Sequence, residues 1–214
     1  MTSETVVAGA EALAGDIVAR AEGRARFCVA LAGPPGSGKS TLAEALGAAL
    51  EARCPGEVAV VPMDGFHYDD GLLVPWGLRP RKGAPETFDT GGLAAALERI
   101  RTGDAPVAVP VFDRSIEIAR AGARIVEPRH RIVVVEGNYL LLDEAPWRDL
   151  ARQFDMTIRL DVPESVLRER LVRRWLDHGF AQAEAEAKAE GNDLPNARRV
   201  LAASLPATVS WPGA

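Results

Sequence analysis

The chain has 214 residues, of which 47% are hydrophobic and 26% are charged. This length suits one domain, and the composition excludes a disordered, a collagen-like or a disulfide-scaffold protein. The 25 Lys and Arg against 30 Asp and Glu give a formal net charge of −5, so we expect no broad basic surface and no nucleic-acid partner. A local cationic pocket is compatible with this balance.

The cysteines and the hydrophobic runs set further limits. Cys28 and Cys54 are too few for a disulfide framework or a metal cluster. No run approaches the roughly 18 apolar residues of a membrane-spanning helix, so we expect no membrane insertion. Three acidic residues precede the first basic residue, Arg20, unlike the start of a signal peptide. The sequence therefore predicts a cytoplasmic protein.

The N-terminal half alternates helical and strand patterns. Apolar spacing indicates a helix over residues 4–22, and the apolar run Phe27–Ala32 indicates a buried strand. A helix is predicted at Thr41–Ala52 and a second strand at Val58–Val61. Residues 65–90 hold several Gly and Pro and show no regular period, which is typical of a functional or disordered segment.

The C-terminal half continues the alternation. A helix is predicted at Leu93–Ile100, and strands at Val107–Phe112, Ile132–Val135 and Met156–Leu160, of which IVVV at 132–135 should be a central strand. Strands and helices alternating in this order predict a parallel sheet with helices on both faces.

Two further helices are predicted near the C-terminus. Glu164–Asp177 is amphipathic, and its buried stripe should consist of Leu167, Leu171 and Trp175. Residues 181–190 alternate Ala with Glu, which predicts a solvated helix that packs little.

The strongest motif is GPPGSGKS at residues 33–40, which matches G-x-x-x-x-G-K-[ST] between a predicted strand and a predicted helix. Its glycines let backbone N–H groups wrap phosphates, and the helix N-terminus adds partial positive charge. Lys39 can reach the β- and γ-phosphates, and the Ser40 hydroxyl can bind Mg²⁺. The expected nucleotide contacts are Gly33, Pro34, Pro35, Gly36, Ser37, Gly38, Lys39, Ser40 and Thr41.

Missing motifs narrow the class of nucleotide protein. The chain lacks the Asn-Lys-x-Asp element with which GTPases bind guanine, and it lacks the Ser-Gly-Gly-rich signature of transporter ATPases. A small kinase remains, or a nucleotide-binding regulator with slow hydrolysis.

Two carboxylates follow predicted strands. Asp64 comes after the second strand, at the edge where parallel sheets bind ligands, and could accept the proton of a substrate hydroxyl. A turn or helix cap at Asp64-Gly65 is the structural alternative. Glu136 ends the central strand, where Mg²⁺ would offset the cost of burying its charge; a carboxylate facing solvent is the alternative.

Three arginines follow on the amphipathic helix. Arg170, Arg173 and Arg174 have i, i+3, i+4 spacing and can share one helix face. Arginines on a closing element can stabilise a phosphoryl group in transfer, and Arg174 is a candidate nucleotide contact. A solvated face paired with nearby acidic residues is the alternative.

With these residues placed, the chain resembles the superfamily of uridine kinase, phosphoribulokinase and bacterial pantothenate kinase, and in particular its small bacterial members known as fructose transport system kinases. The resemblance runs from about Arg26 to Leu205. Besides the phosphate loop, it rests on MDGFHYDD (63–70), GLRPRKGAPETFD (77–89), VPVFDRS (109–115), VVVEGNYLLL (133–142) and NDLPNA (192–197).

The resemblance implies a three-layer α/β P-loop NTPase fold over residues 1–214, with a parallel sheet, helices on both faces and a small helical lid. The lid should span about 174–191, and an acceptor-side segment about 64–90. It implies ATP and Mg²⁺, with Lys39 at the phosphates, Asp64 as the catalytic carboxylate and Arg170 as the catalytic lid arginine. Members are often dimers, so a homodimer is compatible with the resemblance.

The resemblance does not fix the acceptor. Phe112 and Arg114 stand where the pantothenate enzymes carry Tyr and His, and Gly65-Phe66-His67 replaces the Ser-Phe-Tyr of uridine kinases. A sugar or sugar-like alcohol is the first choice by resemblance, with a nucleoside or a pantothenate-like acceptor as alternatives. Asn192 matches an asparagine that contacts substrate in the pantothenate enzymes. The expected acceptor contacts are Asp64, His67, Tyr68, Arg81, Lys82, Phe112, Arg114 and Asn192.

Overall fold

A sheet of five parallel strands organises the computed structural model, which describes residues 3–212. Residues 1–2 and 213–214 of the expected domain lie outside this description. In chain order the strands are β1 (Phe27–Ala32), β2 (Val58–Pro62), β3 (Val107–Asp113), β4 (Ile118–Val126), β5 (Ile132–Gly137), β6 (Met156–Asp161) and β7 (Val209–Pro212). The order across the sheet is β2-β5-β1-β6-β7. The predicted strand β5 is therefore interior, and β1 takes the middle position.

Helices connect and cover these strands. The α-helices are α1 (Ser3–Arg20), α2 (Lys39–Arg53), α3 (Asp70–Leu73), α4 (Thr90–Thr102), α5 (Glu164–Asp177), α6 (Gln182–Lys188) and α7 (Leu194–Ala202). Short 3-10 helices lie at Met63–Phe66, Arg79–Arg81, Pro85–Thr87 and Trp147–Gln153, and a π-helix lies at Ala189–Asp193. Across the described ranges, no helix has the length and apolar character needed to cross a membrane.

The apolar sequence of β1 explains its central place. All six of its residues are buried, and alternate residues point to opposite faces of the sheet. Phe27, Val29 and Leu31 pack with apolar residues of α1 and α2, whereas Cys28 and Ala30 pack with those of α4 on the other face. The predicted parallel sheet with helices on both faces is confirmed.

The predicted strand at 107–112 is present as β3, but its expected place in the parallel sheet is wrong. It pairs antiparallel with β4 in a separate hairpin. Sequence patterning missed β4 because most of its residues are exposed, so it has no apolar face to mark it. The hairpin packs closely over the 3-10 helix Met63–Phe66: a Cβ at Gly65 would lie 2.2 Å from the Pro110 carbonyl oxygen.

The helices that follow β6 differ in part from the sequence prediction. Most of residues 181–190 are exposed as predicted, but Ala185 and Ala189 are fully buried, because alanine lets a helix approach its neighbours closely. On α5, Leu167 and Leu171 are buried as predicted, whereas Trp175 is only partly buried. The expected irregular segment 65–90 is ordered by short helices.

Substituting Gly65 tests how tightly the hairpin holds the turn that carries Asp64. We expect Gly65→Ala to lower the free energy of unfolding by about 1–3 kcal/mol, because the added methyl group meets backbone atoms that cannot rotate away. Urea denaturation measures this. The matched control is Gly15→Ala in α1, where the added Cβ meets nothing within 4 Å and should stabilise by up to about 1 kcal/mol. Unchanged stability of Gly65→Ala would contradict the packing described.

Candidate active site

The phosphate loop connects β1 to α2 through backbone conformations that require glycine. Gly36 and Gly38 have φ of +78° and +89°, in the left-handed region. At Gly33 a Cβ would lie 2.9 Å from the Cβ of Leu160 on β6. The loop can therefore turn tightly and direct its backbone N–H groups inward, which is the arrangement that binds phosphate.

Lys39 is buried at the start of α2. Its ammonium donates to the carbonyl oxygen of Pro34 at 3.0 Å and to Oγ of Ser37 at 3.4 Å. Burial lowers the pKa of Lys39 to about 8, and the nearby carboxylates of Glu136 and Asp64 act in the opposite direction. A desolvated cation whose hydrogen bonds, among the described residues, go to neutral oxygens is well suited to bind an anion such as a phosphate group.

Two carboxylates meet at the carboxyl edge of the sheet. β2 and β5 are neighbours, with Pro62 opposite Glu136, so Asp64 lies just beyond the same edge. Burial raises the pKa of Glu136, while the charge of Lys39 opposes that shift. The structure thus brings Asp64, Glu136 and Lys39 together, as the sequence predicted for a ligand site at this edge.

A groove of about 520 Å³ lies between α2, β2 and β4, and its lining includes Ser40 and Glu136 but neither Lys39 nor Asp64. A hydroxyl and a carboxylate are oxygen donors that suit Mg²⁺, which takes few ligands from the protein and the rest from phosphates and water. Within residues 3–212 there is no group of three or more His, Cys, Asp or Glu placed to hold a metal ion. The donor set therefore fits a nucleotide-bound Mg²⁺ better than a permanently held metal.

Asp64 has a partner that the sequence did not indicate. Its Oδ2 atom accepts from the guanidinium of Arg114 at 2.5 Å, and the Arg114 side chain is 68% exposed. His67 Nδ1 donates to the Asp64 carbonyl oxygen at 2.8 Å, and its ring centroid lies 3.9 Å from that of Phe88 and 4.8 Å from that of Phe112. Burial lowers the pKa of His67, which favours its neutral form. These predicted acceptor residues therefore form one cluster around Asp64.

The other basic residues of the acceptor-side segment are held by acidic groups of the chain. Lys82 Nζ lies 2.8 Å from Asp70 Oδ1 and donates to the Glu117 carbonyl oxygen at 2.9 Å. Arg81 lies 2.7 Å from Glu86. The Lys82–Glu117 hydrogen bond joins the segment to the β3–β4 turn, and the two ion pairs lie within the segment.

Tyr68 and Asn192 contact other groups of the chain. The Tyr68 ring packs edge-on against Trp76, with 5.2 Å between their centroids. The amide of Asn192 donates to the Lys82 carbonyl oxygen at 2.8 Å. Contacts of Tyr68 and Asn192 with an acceptor stay predictions.

Arg170, Arg173 and Arg174 of α5 do not act as one group. Arg170 donates to the carbonyl oxygens of the phosphate loop at Gly36 and Ser37, at 3.4 and 3.5 Å. Arg173 is instead 74% exposed and pairs with Asp177 at 3.2 Å. Arg173 therefore follows the alternative of a solvated position paired with a nearby acidic residue, whereas Arg170 contacts the phosphate loop.

Sequence reasoning also missed a buried tyrosine that supports the site. Tyr139 follows β5 and is fully buried, and its hydroxyl donates to the Gly83 carbonyl oxygen at 2.5 Å. Burial raises the pKa of Tyr139, so the hydroxyl keeps its proton as a donor. The segment GNYLLL carries this residue, but nothing local in it indicates a contact 56 positions away.

Comparison with known proteins places this architecture among kinases. A crystal structure named "putative fructose transport system kinase" from Silicibacter sp. TM1040 is 51% identical, with a TM-score of 0.90, over 95% of this chain and 98% of that chain. The "Uncharacterized protein YggC" of Escherichia coli is 40% identical over 180 residues, covering 82% of this chain and 73% of the relative. The "Putative uridine kinase C227.14" of Schizosaccharomyces pombe is 38% identical over 181 residues, covering 80% of this chain and 76% of the relative. A scan against protein-family models finds no match.

Replacing Lys39 should make the ligand-free protein more stable, although Lys39 is expected to bind phosphate. We expect Lys39→Met to raise the free energy of unfolding at pH 7 by about 1–4 kcal/mol, because it removes the cost of burying a charge. The folded pKa of about 8 lies below the ordinary value of 10.5, so this cost is fully present below pH 8 and is lost as pH rises to about 10.5. Urea denaturation of the ligand-free protein in a chelator, between pH 7 and pH 10.5, measures the difference.

The matched control for this substitution is Lys188→Met, because the Lys188 side chain is exposed. Lys188→Met should show no pH-dependent gain in the free energy of unfolding. If Lys39→Met were less stable than wild type at pH 7, the claim that burying the Lys39 ammonium destabilises the fold would be wrong.

Proposed function

We infer the function from one premise: the chain belongs to the P-loop kinases of the uridine kinase, pantothenate kinase and phosphoribulokinase type. We propose that it transfers the γ-phosphoryl group of Mg-ATP to a hydroxyl of a small molecule, with a sugar or sugar-like alcohol as the acceptor. One observation carries this proposal: Asp64, in the 3-10 helix that follows β2, lies at the same edge of the sheet as the phosphate loop that follows β1.

The residues divide the chemistry between them. The phosphate-loop N–H groups and Lys39 bind the phosphates, and Arg170 and Arg174 approach from α5. Mg²⁺ held through Ser40 and Glu136 would neutralise charge on the phosphate oxygens. Asp64 takes the proton of the acceptor hydroxyl as its oxygen bonds to the γ-phosphorus, and the bond to the β-phosphate oxygen breaks to release ADP.

Arg114 fits this mechanism as a movable partner of Asp64. The ion pair occupies one carboxylate oxygen, and the guanidinium is largely exposed, so an incoming acceptor can displace it at little cost. A displaced Arg114 lies beside the reacting groups, where its charge would stabilise the transferring phosphoryl group.

The charge pattern around Asp64 favours a neutral acceptor. Each of four basic residues there has a carboxylate partner within the chain: Arg79 and Lys82 with Asp70, Arg81 with Glu86, and Arg114 with Asp64. Once the acceptor displaces Arg114 from Asp64, the other three basic residues keep their carboxylate partners. A carboxylate-bearing acceptor such as pantothenate would have to break one of those three pairs or compete with the phosphoryl group for Arg114. A polyol needs only hydrogen bonds, and the name of the Silicibacter relative points to the same class.

A coupled ADP-release assay over a panel of neutral sugars, nucleosides and pantothenate tests the proposal. We expect a neutral polyol to accelerate ADP release from Mg-ATP. Lys39→Met should lower kcat by about 10²–10³-fold, as expected when a group that stabilises the transition state is lost, and it also controls for contaminating ATPases.

Two results would contradict the proposal. Slow ADP release that no acceptor stimulates would indicate the regulatory nucleotide-binding protein. Stimulation by pantothenate or a nucleoside, without stimulation by any sugar, would retain the kinase and exclude the sugar-like acceptor.

A further inference from the structure

A single turn of π-helix, Ala189–Asp193, joins α6 to α7. Such turns are rare and occur frequently at functional sites. Its last two residues contact two different elements: Asp193 binds α5, and Asn192 binds the acceptor-side segment. The turn therefore lies between the two halves of the proposed active site.

Asp193 fixes the position of Arg174. Its Oδ1 atom lies 2.9 Å from the Arg174 guanidinium, and its Oδ2 atom accepts from the indole N–H of Trp175 at 2.7 Å. The carboxylate is only 13% exposed, so each of its oxygens needs these donors. One turn earlier on α5, Arg170 contacts the carbonyl oxygens of Gly36 and Ser37, so Arg174 follows on the side of the helix that faces the phosphate loop.

Asn192 fixes the acceptor-side segment. Its Nδ2 atom donates to the Lys82 carbonyl oxygen, and its Oδ1 atom accepts from the amide of buried Asn196 at 3.2 Å. Lys82 in turn donates to the Glu117 carbonyl oxygen, in the same hairpin turn as Arg114, the partner of Asp64. Hydrogen bonds thus lead from the π-helical turn to the residues around Asp64.

We propose that the π-helical turn couples nucleotide binding to the acceptor-side segment, and that Asp193 is the positioning residue that holds Arg174 until phosphates bind. This inference rests on the proposed function only in that a nucleotide occupies the phosphate loop. Phosphate oxygens compete with Asp193 for the Arg174 guanidinium. When the Arg174–Asp193 ion pair breaks, the π-helical turn shifts, and the Asn192 contact with Lys82 shifts with it. Nucleotide binding and the acceptor-side segment therefore affect each other reciprocally.

Hydrogen exchange of residues 79–89 with and without Mg²⁺ and a non-hydrolysable ATP analogue tests the coupling, and calorimetry gives the Kd of the analogue. In wild type the analogue should change exchange in this segment by about fivefold or more. In Asp193→Asn that response should fall below about twofold. The analogue should bind this variant severalfold more tightly, because the competitor for Arg174 has been removed.

Three variants complete the design. Asp193→Glu keeps the charge and should restore part of the response. Asn192→Ala should lose the response while leaving the Kd of the analogue within about twofold of wild type. The matched control, Asp177→Asn, removes a carboxylate that pairs with Arg173 on the same helix, and should behave as wild type.

The outcomes are distinguishable. If Asp193 only stabilised the fold, Asp193→Asn would loosen the whole protein. That variant would then bind the analogue more weakly than wild type, and its amide hydrogens would exchange faster throughout the chain. Equal responses in wild type and Asp193→Asn, or weaker binding to that variant, would overturn the coupling. Failure of wild type to bind the analogue would overturn the proposed function as well, whereas binding without any acceptor-stimulated transfer would overturn the kinase proposal alone.

Discussion

The ammonium group of Lys39 is buried where β1 passes into α2, and the surrounding chain is arranged to hold that charge. Glycines at 36 and 38 turn the loop so that carbonyl and hydroxyl oxygens reach the ammonium. The carboxylates of Asp64 and Glu136 oppose the effect of burial on its pKa. These are the groups that a bound phosphate and an attacking hydroxyl need. The groups that surround the buried ammonium in the ligand-free protein are thus the groups that bind and transfer the phosphoryl group. Burying that ammonium lowers the stability of the fold.

The parallel sheet brings these groups together from distant parts of the sequence. β1, β2 and β5 run side by side, and all three end at the same edge, where the phosphate loop, Asp64 and Glu136 follow. A hairpin outside the sheet then covers the Asp64 turn and supplies Arg114. The sheet places the nucleotide-binding part, and the hairpin with the segment at 64–90 surrounds the acceptor side.

Local features of the sequence predicted much of this arrangement. The phosphate loop, the strands of the parallel sheet except β7, and the strand-end positions of Asp64 and Glu136 each follow from a short segment with a clear pattern. Features that depend on contacts between distant residues were not predicted. Arg114 and Asp64 are 50 positions apart, and β4 exposes most of its residues. Most of the Ala-rich helix α6 is exposed, as predicted, but the burial of Ala185 was not predicted, because small side chains give a weak apolar signal.

The measurement that tests the central claim most directly is kcat with the acceptor found in the panel, beside the Kd of ATP, for wild type and Asp64→Asn. The amide keeps the size of the side chain but cannot take the hydroxyl proton, so kcat should fall by about 10²–10⁴-fold while the Kd changes by less than about threefold. Asp16→Asn, which replaces an exposed carboxylate on α1, controls for loss of charge. If kcat of Asp64→Asn stays within about twofold of wild type, Asp64 is not the base, and the account of this site is wrong.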